Sequence, residues 1–414
     1  MELDTGATAW MLMSASLVLL MTPGLALFYG GMVRGRSVLN MMMMSFGTMG
    51  LVGVLYVLWG WSMSYGSRSV GGVFADPFEM FGLRGVVTDE AGEFVVSDGL
   101  PTVVDVGFQA TFAIITVALV SGALADRVKF GTWMVFAGVW VTLAFFPLAH
   151  MVWGGGLLSD AGPFASIATP VDFAGGTVVH INAGVAALVL ALVVGRRRGF
   201  GREAARPHSL PLVMLGAALL WFGWFGFNAG SAYGADGLAG LAWVNTCTAA
   251  SAGVLGWLVT EKLRDGHATS LGAASGIVAG LVAITPAAGA LSPVGSIALG
   301  LVAGAASALA VGLKYRFGYD DSLDVVGVHL VSGLVGTVLI GLLATDTGLF
   351  FGGGVGQLVV QIIIAVIAIV FSGVVTLVIA LVLKATMGWR IPEEDEVTGI
   401  DQTAHAERAY EGIA

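Results

Sequence analysis

Eleven apolar runs, each about as long as a helix needs to cross a membrane, dominate this chain. A window of about 19 residues places them at about 8–33, 38–63, 103–124, 130–150, 173–194, 210–229, 239–260, 271–289, 294–313, 325–344 and 357–386. A bilayer core about 30 Å thick takes roughly 20 apolar residues in helical form. Only 11% of the 414 residues are charged and 57% are hydrophobic, too few charges to coat a water-soluble body. The sequence therefore predicts an all-α polytopic membrane protein of eleven transmembrane helices, and a soluble enzyme is excluded.

The basic residues orient it. Of the 18 Lys and Arg, 16 follow spans 1, 3, 5, 7, 9 and 11, including Arg196, Arg197, Arg198, Arg202 and Arg206 in one loop. Basic connections stay in the cytoplasm, so the N-terminus is expected outside and the C-terminus inside. The first run lacks the basic leader of a secretory signal and is read as a retained span. Eleven spans divide into five, five and one, and an odd number per half inverts the second half, as in many transporters. The halves cover about 8–194 and 210–344, with 357–386 added; residues 1–386 form the membrane domain and 387–414 an acidic cytoplasmic tail. Asp172 to Gly175 and His180 to Gly184 in span 5 are echoed by Asp324 to Gly327 and His329 to Gly333 in span 10.

The net charge of −9 is local: six acids against Arg68 and Arg84 in the loop 65–101, and seven against Arg390 and Arg408 in the tail, account for all of it. The single cysteine, Cys247, has no partner for an internal disulfide. No Asp, Glu, Lys or Arg lies deep in a span, since Asp105, Asp172 and Asp324 sit at span beginnings. That argues against a pore lined by carboxylate rings. Without a G-x-x-x-x-G-K-[ST] phosphate loop or a soluble domain, an ATP-driven pump is disfavoured too. His180 and His329 are the histidines that fall within spans. Such residues act either as interhelical packing glue or as part of a substrate or proton path; equivalent places in the two halves favour the path. Both imidazoles are expected to be neutral there. No cofactor, metal site or nucleic-acid partner is expected.

The segment 172–184, DFAGGTVVHINAG, resembles the signature of the ammonium transporter (Amt) branch of the Amt/Rh family. The likeness continues through PGLALFYGG at 23–31, FQATFAIITVALVSGALADR at 108–127, AHMVWGGGLL at 149–158, GWFGFNAGS at 223–231, DDSLDVVGVH at 320–329 and RIPEEDEVTGID at 390–401. The resemblance implies an outer recruitment site for ammonium formed by Phe112, Trp153 and Ser231, and a gate of two stacked rings, Phe112 and Phe227. It also implies a pore in which Trp224 lies beside the pair His180 and His329, and an Asp172 that supports transport, read as a cap of span 5. By themselves Trp153 reads as an interfacial tryptophan, Phe112 as packing and Ser231 as a helix cap. Asp321 and Asp324 read as caps and vestibule charge.

A bare ammonium ion in an apolar pore carries a desolvation cost of order tens of kcal/mol. Leaving its proton at the mouth removes that cost, so the expected event is deprotonation, passage of ammonia past the histidines, and a proton that follows: net electrogenic uptake across the cell membrane. Rivals are an Rh-like channel for neutral ammonia or carbon dioxide, and an ammonium sensor acting through a partner, against which the absence of a signalling domain before Ala414 weighs. An intramembrane enzyme lacks a nucleophile or metal cluster. The resemblance further implies a homotrimer and a cytoplasmic PII-type regulator that plugs the inner vestibule; the acidic tail and the Arg-rich loop 196–206 read equally as its docking surfaces or as solvated ends and a topology signal.

Overall fold

The computed structural model describes residues 3–202 and 206–410. Glu2, residues 203–205 of the Arg-rich loop, Glu411 and Ala414 lie outside these. Among the described residues ten helices are long and apolar enough to cross a membrane: α1 Thr5–Met32, α2 Val38–Tyr65, α3 Thr102–Leu124, α4 Phe130–Val152, α5 Gly176–Val194, α6 Leu210–Gly230, α7 Gly237–Asp265, α9 Pro293–Phe317, α10 Val326–Leu343 and α11 Gly356–Thr386. The chain is thus a multi-pass membrane protein. The expected run 271–289 folds as a shorter apolar helix, α8 Ser270–Ile284, of 15 residues. Pro286 has no amide to continue the ladder, and the chain goes on in tight turns, with Ala287 N bonded to Ile284 O and Ala290 N to Ala287 O.

The carbonyls freed at that broken end are used by other helices. Phe173 N donates to Pro286 O (3.1 Å), and Asn245 Nδ2 to Ala288 O (2.9 Å) and Leu291 O (2.7 Å). The interruption therefore ties α7 and the start of α5 to one point.

Helices α5 and α10 meet at the centre, each opening with a π-helical turn, Gly176–Ile181 and Val326–Leu330. A β-carbon on Gly184 would lie 2.6 Å from Leu330 N, and one on Gly333 would lie 3.2 Å from His180 Cβ. The glycine four residues after each histidine is thus the surface on which the other helix's histidine turn rests.

Two sequence expectations change here. The equivalent of Asp172 is Asp321, not Asp324: each precedes its histidine by eight residues, and each carboxylate accepts from the first amides of its helix. Gly175 (φ 118°) and Asp324 (φ 63°) then fall at matching positions and are both left-handed. Nor does the helix begin at residue 173, where span 5 was expected to start. Because the chain turns at Gly175, His180 sits only four residues, about 6 Å, into α5.

At the end opposite the long 65–101 loop, Arg127 is fully buried, and its guanidinium donates to Ala123 O, Gly195 O, Asp320 O and Ser322 Oγ (2.6–2.9 Å). One side chain therefore joins the ends of α3 and α5 to the segment before α10. Its neighbour Arg197 pairs with Asp320 and Asp126. The tail is held rather than free. In α12 Glu393–Thr398, the Glu396 carboxylate accepts from Arg390 and Arg198 N; in α13 Ile400–His405, Asp401 accepts from Leu39 N (3.0 Å) and Asn40 N (2.7 Å). Asp401 thereby caps α2, whose own Ser37 makes no side-chain cap.

Candidate substrate pathway

A cavity of about 750 Å³ opens beside the loop 65–101, and its floor includes Phe112, Trp153 and Ser231. Trp153 closes the last turn of α4, and its indole Nε1 donates to Asp172 O (2.9 Å). Its ring stands edge-on to Phe112, with centroids 6.1 Å apart and planes at 90°. Ser231 caps α6, and its hydroxyl donates to Phe227 O (2.9 Å). With its proton so engaged, Ser231 Oγ offers lone pairs to a donor in the cavity. An aromatic face and a bare hydroxyl oxygen together suit a compact cation that carries N–H groups.

Below lies the pair of rings expected to form the gate. Phe112 and Phe227 stack at 4.1 Å with planes 28° apart, and each is 1% exposed, so the column is shut at this level. Beneath them His180 lies 6.1 Å from Phe227, 5.5 Å from Trp224 and 5.4 Å from His329, centroid to centroid. Trp224 is fixed by its Nε1 bond to Thr285 Oγ1 (2.9 Å), at the broken end of α8. The space among these rings is about 10 Å³, close to the least that holds one water-sized molecule.

The Nδ1 atoms of His180 and His329 are 3.3 Å apart. A hydrogen bond between two such nitrogens requires one protonated and one bare. In a neutral pair the two Nε2 atoms then differ as well, one donor and one acceptor, which gives the pair a direction. His180 Nε2 is buried and has no partner among the described residues.

The Asp172 carboxylate is consumed locally. It accepts from Gly175 N (2.8 Å), Gly176 N, Thr177 N (2.9 Å), Val178 N (3.3 Å) and Thr177 Oγ1. These are orphan donors of a helix start, and the left-handed Gly175 (φ 118°) lets the chain wrap the carboxylate. Since the same residue's carbonyl holds Trp153, Asp172 joins the histidine helix to the vestibule floor. At the other end Asp321 accepts from Val325 N (3.1 Å) and Val326 N (2.7 Å), and Lys314 Nζ bonds Asp324 Oδ1 (2.6 Å). Burial, and then the neighbouring Asp324, push the Asp321 carboxyl up to about 6.

All the residues expected to form the pathway come together in one column: Phe112, Trp153 and Ser231 at the top, Phe112 and Phe227 at the gate, and Trp224, His180 and His329 below. Two features escaped the sequence reading. One is Tyr233, which donates to Asp105 Oδ1 (2.8 Å) and accepts from Gln109 Nε2 (2.6 Å) at the vestibule wall. The spacing of Asp105, Gln109 and Phe112 on one helix face was its only trace. The other is the glycine four residues after each histidine, whose meaning depends on the opposing helix.

A model of the Ammonium Transporter Family matches residues 9–410. An ammonium transporter of Mycobacterium tuberculosis is 55% identical, the match covering 99% of this chain and 91% of that one. One of Aquifex aeolicus is 46% identical over 99% and 94%. Among solved structures, Mep2 of Saccharomyces cerevisiae is 32% identical over 95% of this chain and 91% of its own, with a TM-score of 0.85. A protein described as a sensor Amt protein is 25% identical over 97% and 98%, with a TM-score of 0.87.

Proposed function

The chain belongs to the ammonium transporter family, and from that premise we propose that it carries ammonium by separating it into ammonia and a proton. The cation is recruited by Phe112, Trp153 and Ser231 and gives up a proton above the stacked rings. Ammonia slips past Phe227 and Trp224, and the proton, taken up by transient water, follows through that water and His180 and His329. The net event is electrogenic uptake into the cell.

One observation carries this reading: the column from Trp153 to His329 is an unbroken series of ring contacts with no charged side chain among the described residues, and the Asp172 carboxylate at its top is occupied by four backbone amides and the Thr177 hydroxyl. A cation meets no counter-charge there, so the desolvation cost of tens of kcal/mol is avoided only by a substrate able to leave its proton behind. Potassium has none to leave. Asp172 acts as the cap that positions His180 and Trp153.

The eleventh crossing is supplied by α8 with the turns that follow it to Leu291. The N-terminus lies outside and the C-terminus inside the cell membrane, three protomers assemble, and a PII-type regulator docks on the cytoplasmic face around the Arg-rich loop and tail. Purified protein in liposomes tests the mechanism: an ammonium jump should produce inward charge movement. Ammonia flux without charge movement would leave a neutral channel of the Rh kind, and binding without flux would leave a sensor.

A further inference from the structure

The outer vestibule contains more than the aromatic floor. Asp105, Phe108, Gln109 and Phe112 occupy positions i, i+3, i+4 and i+7 of α3 and so share one face. Asp105 therefore stands about 10 Å, two helical turns, above the gate ring of Phe112. It is built in rather than left loose. Gln109 Nε2 donates to Tyr233 Oη (2.6 Å), and Tyr233 Oη donates to Asp105 Oδ1 (2.8 Å). The Tyr233 backbone is held left-handed (φ 59°), and its ring packs edge-on against Phe108 at 5.8 Å. Oδ1 is thus occupied and aligned, while Oδ2 makes no hydrogen bond among the described residues.

A second, independent sign of an occupant stands on the same wall. Tyr65 lines the cavity, and its hydroxyl oxygen is buried with no partner among the described residues. A buried hydroxyl left unbonded is costly, and an N–H donor in the cavity would complete it. Asp98 and Asp160 border the same space, so the local field is negative, whereas among the described residues no Asp, Glu, Lys or Arg lines the space below the gate.

We propose that Asp105, aligned by Tyr233 and Gln109, is an outer station that gathers small ammonium-type cations before the Phe112, Trp153 and Ser231 site takes them. This rests on the transport reading above. The station attracts by charge and is indifferent to whether the cation can lose a proton; the floor and gate select. Supply and selection are then divided between two levels of one vestibule, and potassium competes at the upper level without passing the lower.

Ammonium-driven current in liposomes tests it through the half-saturating concentration. Asp105→Asn should raise that concentration about fivefold, the size of one wet ion contact, and proportionately more than it lowers the maximal current. Asp105→Glu should restore much of it, and Tyr233→Phe, which keeps the carboxylate and removes its aligning donor, should shift it in the same direction. Excess potassium chloride, against choline chloride at equal ionic strength, should raise half-saturation in the wild type and much less in Asp105→Asn. An unchanged half-saturation in Asp105→Asn, or a lowered thermal stability with no such change, would reduce Asp105 to a first-turn acid favoured by the helix dipole and overturn the proposal. If Asp105→Asn fails to fold, an unaltered Tyr233→Phe overturns it as well. Absence of any wild-type current would instead overturn the transport reading itself.

Discussion

Asp172 and Asp321 occupy matching places in the two halves, each eight residues before a buried histidine and each accepting hydrogen bonds from the opening amides of the helix that follows it. The two caps differ in load. Asp172 takes four amides and a hydroxyl, Asp321 two amides.

That difference gives an order of effects. Losing a helix cap costs about 0.5–2 kcal/mol, and each buried donor left unpaired adds about 1–3 kcal/mol. Asp172→Ala should therefore lower thermal stability in detergent more than Asp321→Ala. It should also impair transport, because Trp153 hangs from the same residue. Equal melting temperatures for the two variants would contradict the hydrogen-bond count.

Asp321 also sets a pH dependence. Its carboxyl, raised to about 6 by burial and then by Asp324, exceeds the ordinary value near 3.9. A raised acid binds its proton more tightly folded than unfolded, so its contribution is full below about pH 4 and is lost as pH rises through 6. Relative to Asp321→Asn, the wild type should gain stability as pH falls from 7 to 4. Parallel melting-temperature profiles of the two proteins over that interval would refute the assignment.

The histidine pair makes the sharpest functional test. His180→Ala or His329→Ala breaks the 3.3 Å contact between the rings. Either variant should abolish ammonium-driven charge movement or let potassium carry current. Currents recorded side by side in liposomes decide it: unchanged amplitude together with unchanged selectivity removes both histidines from the mechanism.

The crossing of α5 and α10 should be asymmetric to substitution. A β-carbon at Gly184 meets backbone 2.6 Å away, whereas one at Gly333 meets a side-chain carbon at 3.2 Å. Overpacking costs about 1–3 kcal/mol where neighbours yield and more where they do not. Gly184→Ala should lower the melting temperature more than Gly333→Ala, and the reverse order would show that the helices part rather than clash.

At the cytoplasmic face proposed above, Asp401→Ala removes the acceptor of Leu39 N and Asn40 N. A lost cap of about 0.5–2 kcal/mol should release α13 first, seen as faster amide exchange over 400–405 while the membrane helices keep their protection. Unchanged exchange there would mean that other contacts hold the tail.

Much of this protein was legible in its residues because a membrane restricts the alternatives. Apolar runs long enough to span a bilayer as helices, with 16 of the 18 basic residues in alternate connections, are enough to define a polytopic helical chain, since in lipid only helices and closed barrels satisfy the backbone. His180 and His329 stood out because an imidazole in such a run is rare. The motif likeness supplied Phe112, Trp153, Phe227, Trp224 and Ser231, which composition alone would have left as packing, belt and cap residues. Only the tertiary structure decided the rest. The pairing of Asp172 with Asp321 depends on where each helix actually begins, and a left-handed residue before the first turn moves that point by several positions. The shortening of α8 at Pro286, the docking of the tail on α2 and the alignment of Asp105 by Tyr233 are contacts between residues far apart in the chain. A local pattern of hydrophobicity records which face is buried; it does not record what that face is buried against.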